Sequence, residues 1–425
     1  MRTSRFRSSQ MRVLQSDANF GIGTLVAAAR TVIIAGAGIG GLTAALALAQ
    51  RGFEVTLLEA AGRLEEVGAG LQLSPNAARV LVALGIAERL KPHIVVPEHL
   101  AVRNARSSRL LAQGPLGTTS EQRYGAPYWV IHRGDLQAAL CEAVAATPGI
   151  TLKLGSKVEN VTAEPDGVAV SASQGSQPLT VRAHALIAAD GLWSTLRQQL
   201  GHRTVPRPAG HTAWRTLIPI EAAPKSAALL AVNLWLGADS HLVHYPVKAG
   251  RMINVVAIVD DDWREPGWNT PGEPRELLDR FSAEDWHASA RDLLAASERW
   301  QKWALFACPP LASWGTTWGN GRVTLLGDAA HPMLPYLAQG AAMAIEDAAV
   351  LAACLERNPD VPAALRTYEA SRLPRTARVQ RDASRNATVY HMSGAAGVLR
   401  SLALMAMGGE RLISRYDWLY GWTPT

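Results

Sequence analysis

The chain has 425 residues, 48% hydrophobic and 18% charged, with a formal net charge of +6. That length and composition exclude a disordered or fibrous chain and favour two closely packed domains. Its three cysteines (Cys141, Cys308, Cys354) form no CxxC pair, which excludes a disulfide framework or thiolate metal site and fits a reducing, cytoplasmic setting.

Residues 1–30 hold five arginines (Arg2, Arg5, Arg7, Arg12, Arg30) against one acid, Asp17, a local net charge of +4. They read as a basic, disordered extension, with a transit-like peptide or a start set too early as alternatives. The rest of the chain is then nearly balanced, so no nucleic-acid partner is expected. No run of about 20 apolar residues is present, so no membrane span is expected. The histidines show no HxxxH or HExxH spacing, and no metal is expected.

Ordered structure is predicted from Thr31. Thr31-Val-Ile-Ile-Ala is a continuous apolar run, as a strand buried on both faces requires. Gly36-Ala-Gly-Ile-Gly-Gly41 follows, then an Ala/Leu-rich helix to Arg51 and a second strand over 53–59. In this βαβ unit Gly36 permits the tight turn, Gly38 lets the backbone approach a pyrophosphate, and Gly41 lets helix and strand pack closely. The helix N-terminus offers free amides to the phosphates. Glu59 ends the second strand, where an acid can bind a ribose hydroxyl. NAD and FAD are both compatible with this unit alone.

Further on, Asp135 reads as a helix N-cap opening an apolar-periodic segment to Ala146. Residues 150–187 alternate in polarity, with a hairpin signal at Glu164-Pro-Asp-Gly167. A buried strand over Ala185–Ala189 runs into Asp190-Gly-Leu-Trp-Ser194-Thr-Leu-Arg197, which in isolation reads as a turn and a cap. From 210 to 303 alternating segments rich in tryptophan predict a mostly antiparallel sheet. A buried strand returns at Arg322-Val-Thr-Leu-Leu-Gly327, followed by Asp328, His331 and a helix over 341–354. Glycine at 340 frees the amides at that helix start, and the helix dipole adds positive potential. Glu346 and Asp347 read as complements to the same dipole.

The fold expected is α/β: a Rossmann-like nucleotide domain (31–203 and 304–390), an inserted β-sheet substrate domain (204–303) and a C-terminal helical segment (391–425). The C-terminal segment is amphipathic and suits packing on the domain or on a second copy, as in a homodimer.

Taken together, GxGxxG, DGxxSxxR and GDAAHP in this order resemble the three fingerprints of the single-component FAD-dependent aromatic hydroxylases. The resemblance spans roughly 31–381. The phrases Gly68-Ala-Gly-Leu-Gln72-Leu-Ser-Pro-Asn76-Ala, His132-Arg133-Gly-Asp135-Leu and Leu337-Ala-Gln-Gly-Ala-Ala-Met-Ala-Ile-Glu-Asp347 resemble the salicylate hydroxylase-like and 3-hydroxybenzoate 6-hydroxylase-like members. The resemblance implies bound FAD, with Glu59 at the adenosine ribose, Arg133 in contact with FAD and Asp328 at the ribityl and pyrophosphate region. The amides of Gly340 and Ala341 then face the flavin ring, while Asp190 and Arg197 serve FAD and NAD(P)H.

The reaction implied takes NADH or NADPH and O2 and hydroxylates a small phenolic or aromatic acid through a flavin hydroperoxide. His241 and Tyr245 match a His-x-x-x-Tyr pattern of the substrate pocket. Alternation puts both on one strand face and His244 on the other. His241 is thus the candidate base for the phenol, against the alternative of an ordinary buried sheet histidine. Gln72, Trp214 and Pro335 are candidate pocket residues, and Arg215 a candidate for a substrate carboxylate. Pro335 stands where the 3-hydroxybenzoate 6-hydroxylase pattern has glutamine, which leaves the particular acid open. The competing readings are an epoxidase or reductase on the same scaffold, or a flavin-binding interaction protein without turnover. A halogenase is disfavoured because Trp214-Arg-Thr-Leu-Ile-Pro219 lacks the WxWxIP pair.

Overall fold

The structure is a computed structural model that describes residues 30–64, 69–175, 177–227, 229–267, 269–315 and 317–424. All but the last residue of the basic extension, together with Gly68 and Trp268, lie outside the described residues.

Five all-parallel strands make the first sheet, in the order Val323–Leu325, Ala185–Ala188, Thr31–Ala35, Glu54–Leu58, Ile150–Lys153. Ile33, Ile34, Leu57, Leu186, Ile187, Val323 and Leu325 are fully buried, because helices cover the sheet and leave no polar face. Helices Ile39–Ala49 and Gly340–Arg357 pack together over it. The chain builds outward from Thr31–Ala35 on one side and later returns on the other. That reversal leaves a crevice beyond the carboxyl ends of the central strands, the usual ligand position in such sheets. A three-stranded antiparallel sheet (Ser156–Glu164, Gly167–Gln174, Gln177–Ala183) follows, with Glu164 paired to Gly167 across Pro165-Asp166. This is the turn its sequence signals.

The second large sheet has eight strands in the order Thr270–Gly272, Trp300–Ala307, Arg207–Pro219, Met252–Asp260, Ser240–Val247, Ala231–Leu236, His99–Asn104, Leu110–Pro115. Its last two strands come from the stretch that the linear reading gave to the nucleotide domain. They join through parallel pairing of His99–Asn104 with Ala231–Leu236, a long-range choice that local pattern cannot specify. Its outer face carries Trp214, Trp235, Leu242, Val255 and Ala257, buried with Phe281, Trp286 and Leu293. Its inner face turns toward the nucleotide domain.

One helix start differs from expectation. The helix runs Arg133–Ala146 with His132 as its boundary residue, so Asp135 lies in the first turn and is not the N-cap. There its carboxylate complements the dipole and accepts from Lys248 Nζ at 3.1 Å. The C-terminal part is a 30-residue helix Val361–Tyr390, then Gly394–Ser414, broken at Gly408 (φ 73°), and Asp417–Tyr420. Among the described residues no helix is long and apolar enough to cross a membrane.

Candidate cofactor and active site

The motifs that lie far apart in sequence meet because three neighbouring strands end together. Thr31–Ala35 delivers Gly36, Ala185–Ala188 delivers Asp190, and Val323–Leu325 delivers Gly327-Asp328. Gly36 has φ +105°, and a Cβ there would lie 2.3 Å from Ala189 O. A Cβ on Gly41 would lie 1.9 Å from Gly36 O. Those two glycines let the turn cross the adjacent strand end and let the helix close on it. Gly38 is different: a Cβ there meets nothing within 4 Å. It faces open space at the N-terminus of Ile39–Ala49, whose first turn has no side-chain cap and no acid.

Glu59 holds the edge of this space, its two oxygens accepting from Ala37 N at 2.7 Å and Ala61 N at 2.8 Å. Fixed this way, the carboxylate keeps lone pairs for a ribose hydroxyl. Glu59, Gly38, Arg63, Arg133 and Gln137 line a cavity of about 640 Å³. An open glycine, uncapped amides, an acid and an arginine in one cleft fit the pyrophosphate and adenosine of a dinucleotide.

Asp190 accepts from Ser194 Oγ at 2.5 Å and Leu196 N at 3.2 Å, and Ser194 Oγ accepts from Arg197 N at 2.9 Å. The turn-and-cap reading of this motif is therefore realised in the structure. Arg197 adds a tie that the spacing does not reveal. Buried, it donates to Leu192 O at 2.7 Å, Ala329 O at 2.9 Å and Asp328 O at 3.3 Å, joining the Asp-Gly motif to the Gly-Asp motif. Asp328 projects into the cleft. Although its carboxylate is exposed at the cleft, desolvation by the surrounding walls raises it above the usual range, offset in part by His331, Arg133 and Arg197.

The helix Gly340–Arg357 begins without a side-chain cap or first-turn acid. Gly340 has only Met333 Cγ at 4.0 Å from an added Cβ, so the amides of Gly340 and Ala341 present a positive pole to the crevice. Glu346 and Asp347 are fully buried and do not serve the dipole from the surface as expected. Arg372 binds both, Nη1 to Glu346 and Nε to Asp347, each at 2.7 Å. Arg375 also holds Glu346, while His331 Nε2 reaches Asp347 at 2.5 Å. Asp347 in turn accepts from Gly327 N at 3.2 Å. Asn76 and Gln339 link in, Asn76 donating to Glu346 at 2.7 Å and to Gln339 at 3.1 Å. The network fixes the loop before Asp328 and the start of the helix against one another.

On the inner face of the large sheet, Ser240–Val247 directs His241 and Tyr245 to one side. His244 goes to the other, where its Nε2 accepts from Trp235 Nε1 at 3.1 Å. Tyr245 packs against Gly70, where an added Cβ would lie 2.6 Å from Cε2 of the ring. His241 is buried, 2% exposed. Its ring lies 5.2 Å from Tyr336 and 5.3 Å from Tyr390, centroid to centroid. Burial, and then the neighbouring His391 and His211, drive its pKa well below the ordinary value. His241 is therefore a neutral imidazole at working pH, an acceptor and not a fixed cation.

His241 Nδ1 meets His391 Nε2 at 2.8 Å, and His391 Nδ1 bonds Asp260 Oδ1. His211 Nε2 lies 3.4 Å from the same carboxylate oxygen. Sequence reasoning missed His391 and Asp260. Asp260 was reachable from the hairpin register, because His241 opposes Ile258 and Asp260 is two residues on, facing the same side. His391 lies 150 residues away and gives no local signal. The donors of His211, Asp260 and His391 fall within 4.8 Å of one another. Of these three, His391 bonds Asp260 directly, while His211 Nδ1 has no hydrogen-bond partner among the described residues.

The other candidates are dispersed. Gln72 Oε1 accepts from Tyr128 Oη at 2.7 Å, beside Tyr245. Trp214 does not line the inner face. Its register partner Ala257 opposes Leu242, which puts it in the outer core, where Gly272 makes room for its ring. Its neighbour Arg215 is on the inner side, stacked 4.7 Å from the Trp303 ring and donating to Asn269 at 2.6 Å. Pro335 is exposed at the start of the turn Pro335–Leu337, in a cleft that also contains Trp193, Phe306 and Asp328.

Comparison with known proteins agrees with this geometry. A family model described as FAD binding domain matches residues 29–383. A 3-hydroxybenzoate 6-hydroxylase from Aquipseudomonas alcaligenes is 38% identical over 92% of this chain and 97% of its own length. A 6-hydroxynicotinate 3-monooxygenase from Bordetella bronchiseptica is 34% identical over 82% of this chain and 89% of its own. Among solved structures, HpxO of Klebsiella pneumoniae, complexed with FAD and uric acid, superposes with a TM-score of 0.80. It is 26% identical, covering 92% of this chain and 96% of that one. A salicylate hydroxylase substrate complex gives a TM-score of 0.76 at 28% identity, over 93% and 96%.

Proposed function

Since the chain belongs to the FAD binding domain family, among the FAD-dependent aromatic hydroxylases, we propose that it hydroxylates a small phenolic acid of the hydroxybenzoate or hydroxynicotinate type, with NADH or NADPH as reductant. When bound, FAD supplies the oxygen activation and the electrons pass through it. The chain's own residues bind, orient and deprotonate the substrate.

In this reading Gly38, Glu59 and Arg133 hold the adenosine and pyrophosphate, Asp328 the ribityl chain, and the amides of Gly340 and Ala341 the flavin edge. Asp190 acts by shaping the turn that presents Arg197 to the Asp328 loop. His241 is the general base. It takes the phenolic proton on Nε2, which makes the ring electron-rich before attack. Tyr245, on the same strand face, and Gln72 beside it orient the ring. Arg215 is the partner for the substrate carboxylate. Burial and then the charge of Arg133 lower its pKa to about 10, so it stays cationic at neutral pH and gains from a nearby anion.

The observation that carries the reading is His241: a buried imidazole, its pKa driven well below the ordinary value, on the sheet face that meets the nucleotide domain at Gly70 and packs against Tyr336. The test is NAD(P)H oxidation and oxygen uptake with a panel of hydroxybenzoates and hydroxynicotinates, with mass spectrometry of the products. Substrate-stimulated oxidation with a mass gain of one oxygen is expected. His241→Ala should keep its yellow FAD and lose most hydroxylation. No stimulated oxidation by any phenolic acid, or full turnover in the variant, overturns the reading.

A further inference from the structure

We propose that His391 and Asp260 are positioning residues that set the tautomer of His241 and conduct the phenolic proton to solvent. The inference rests on the reading of His241 as the base.

The direction of the chain follows from its last member. An ionised carboxylate only accepts hydrogen bonds. Asp260 Oδ1 therefore requires the proton on Nδ1 of His391. A neutral His391 then presents Nε2 as an acceptor, and the 2.8 Å contact requires the proton of His241 on Nδ1. Nε2 of His241 is left bare, the state a base needs. Without this chain the two tautomers of His241 would compete, and one of them cannot accept a proton.

The fold builds the chain from three places. His241 and Asp260 come from adjacent strands of the sheet. His391 caps the C-terminus of the long helix Val361–Tyr390, where the dipole favours a transient positive charge. Its backbone is pinned, His391 O accepting from Asp239 N at 3.2 Å. Exposure grades along the path: the side chains of His391 and Asp260 are 5% and 46% exposed, so the chain begins in the core and ends in water.

Proton transfer balances without any redox change. The phenol O–H breaks as Nε2 of His241 gains its proton. The Nδ1 proton of His241 moves to Nε2 of His391, and the Nδ1 proton of His391 moves to Asp260 and on to water. Reprotonation of the product phenolate reverses the sequence and restores the tautomers.

The groups facing His241 are His391, His211, Tyr336 and Tyr390. Asp260, Asp239 and Arg400 act on His391. Burial first, and then neighbouring charge, pushes both tyrosines far above their ordinary range. They stay neutral and take no part in the proton transfer.

The test uses the full-length, FAD-loaded protein and the variants Asp260→Asn, His391→Phe and the conservative Asp260→Glu. Asn cannot take up a proton whichever way its amide turns, and Phe breaks the path. Both should keep FAD and a KM within about twofold, while kcat at pH 7 falls about 100-fold. The loss should shrink about tenfold per pH unit as the phenol ionises unaided. A nitro- or polyfluoro-substituted phenolic acid, already ionised at pH 7, should turn over at near wild-type rate in both variants, and Asp260→Glu should recover most activity. An unchanged rate on the ordinary phenol overturns the inference. So does an equal loss on ionised and un-ionised phenols at every pH, because a merely structural role predicts that. If the wild type oxidises no phenolic acid at all, the proposed function itself fails, before any variant is compared.

Discussion

The glycines of the cofactor turn share a motif but not a physical role. Gly36 and Gly41 are required by the protein, since added methyl groups would fall 2.3 and 1.9 Å from backbone oxygens, and Gly36 also has φ +105°. Gly38 has open space around it, so its constraint comes from the ligand. Gly36→Ala should therefore destabilise the apoprotein by more than about 1 kcal/mol, with a lower melting temperature even when FAD is stripped. Gly38→Ala should melt like the parent apoprotein and show its defect only in an FAD titration followed by flavin fluorescence. Equal melting losses in the two variants would remove the distinction. The motif was legible in the sequence because each glycine occupies a fixed offset from a buried strand. Which glycine answers to the fold and which to the ligand was not, because that depends on Ala189, on a strand more than a hundred residues away.

At the scale of elements, the helix Val361–Tyr390 acts as a buckle. Its Arg372 is buried against two buried carboxylates, and one of them, Asp347, holds Gly327 N. Replacing one partner of such a pair leaves an uncompensated buried charge, at a typical cost of about 3–5 kcal/mol. Arg372→Met should fall near the lower end, because Arg375 still serves Glu346 and His331 still serves Asp347. Burial alone would raise the Asp347 carboxyl, but His331 and Arg372 together outweigh it and hold it below the usual range. A carboxyl depressed on folding contributes stability that is fully present above the unfolded value of about 3.9 and is lost as pH falls through the folded value. Chemical denaturation of the wild type should thus show stability falling as pH drops below about 4. In Arg372→Met the fall should begin at higher pH, and coincident profiles would contradict the assignment. The parallel strands were readable as continuous apolar runs, and Ser240–Val247 as an alternating one. The buckle was not: Glu346 and Asp347 on an isolated helix look like dipole partners, and only the packing of a second helix turns them into a buried ion network.

Across the whole molecule, the two layers touch directly at Gly70. Its amide donates to Asn254 Oδ1 at 2.7 Å, and a Cβ there would lie 2.6 Å from Tyr245 and 2.9 Å from Asn254. The strand Gly70–Leu73 belongs to the nucleotide domain and Tyr245 and Asn254 to the large sheet. This contact therefore sets how closely the face carrying His241 and Tyr245 approaches the nucleotide domain. Domain boundaries drawn along the chain could not show it, since the sheet takes strands from both sides of those boundaries. Of the residues proposed to hold the dinucleotide, Gly38 and Glu59 line a cavity apart from this contact, whereas Arg133, which also lines it, is tied to the Gly70 strand through its amide on Ala69 O at 3.1 Å. Gly70→Ala should push the layers apart by a few tenths of an ångström or more, disturbing the approach of the sheet more than the Gly38 and Glu59 side of the cofactor cavity. In a reaction that depends on positioning, a displacement near 1 Å costs about 100-fold. Reduction and oxygen uptake would continue while hydroxylation falls, so the fraction of NAD(P)H oxidised without product, recovered as hydrogen peroxide, should rise several-fold. Measuring peroxide against hydroxylated product in one assay decides the point. A variant that loses FAD, or one that keeps its wild-type coupling, would show that the gap between the layers is not set at Gly70.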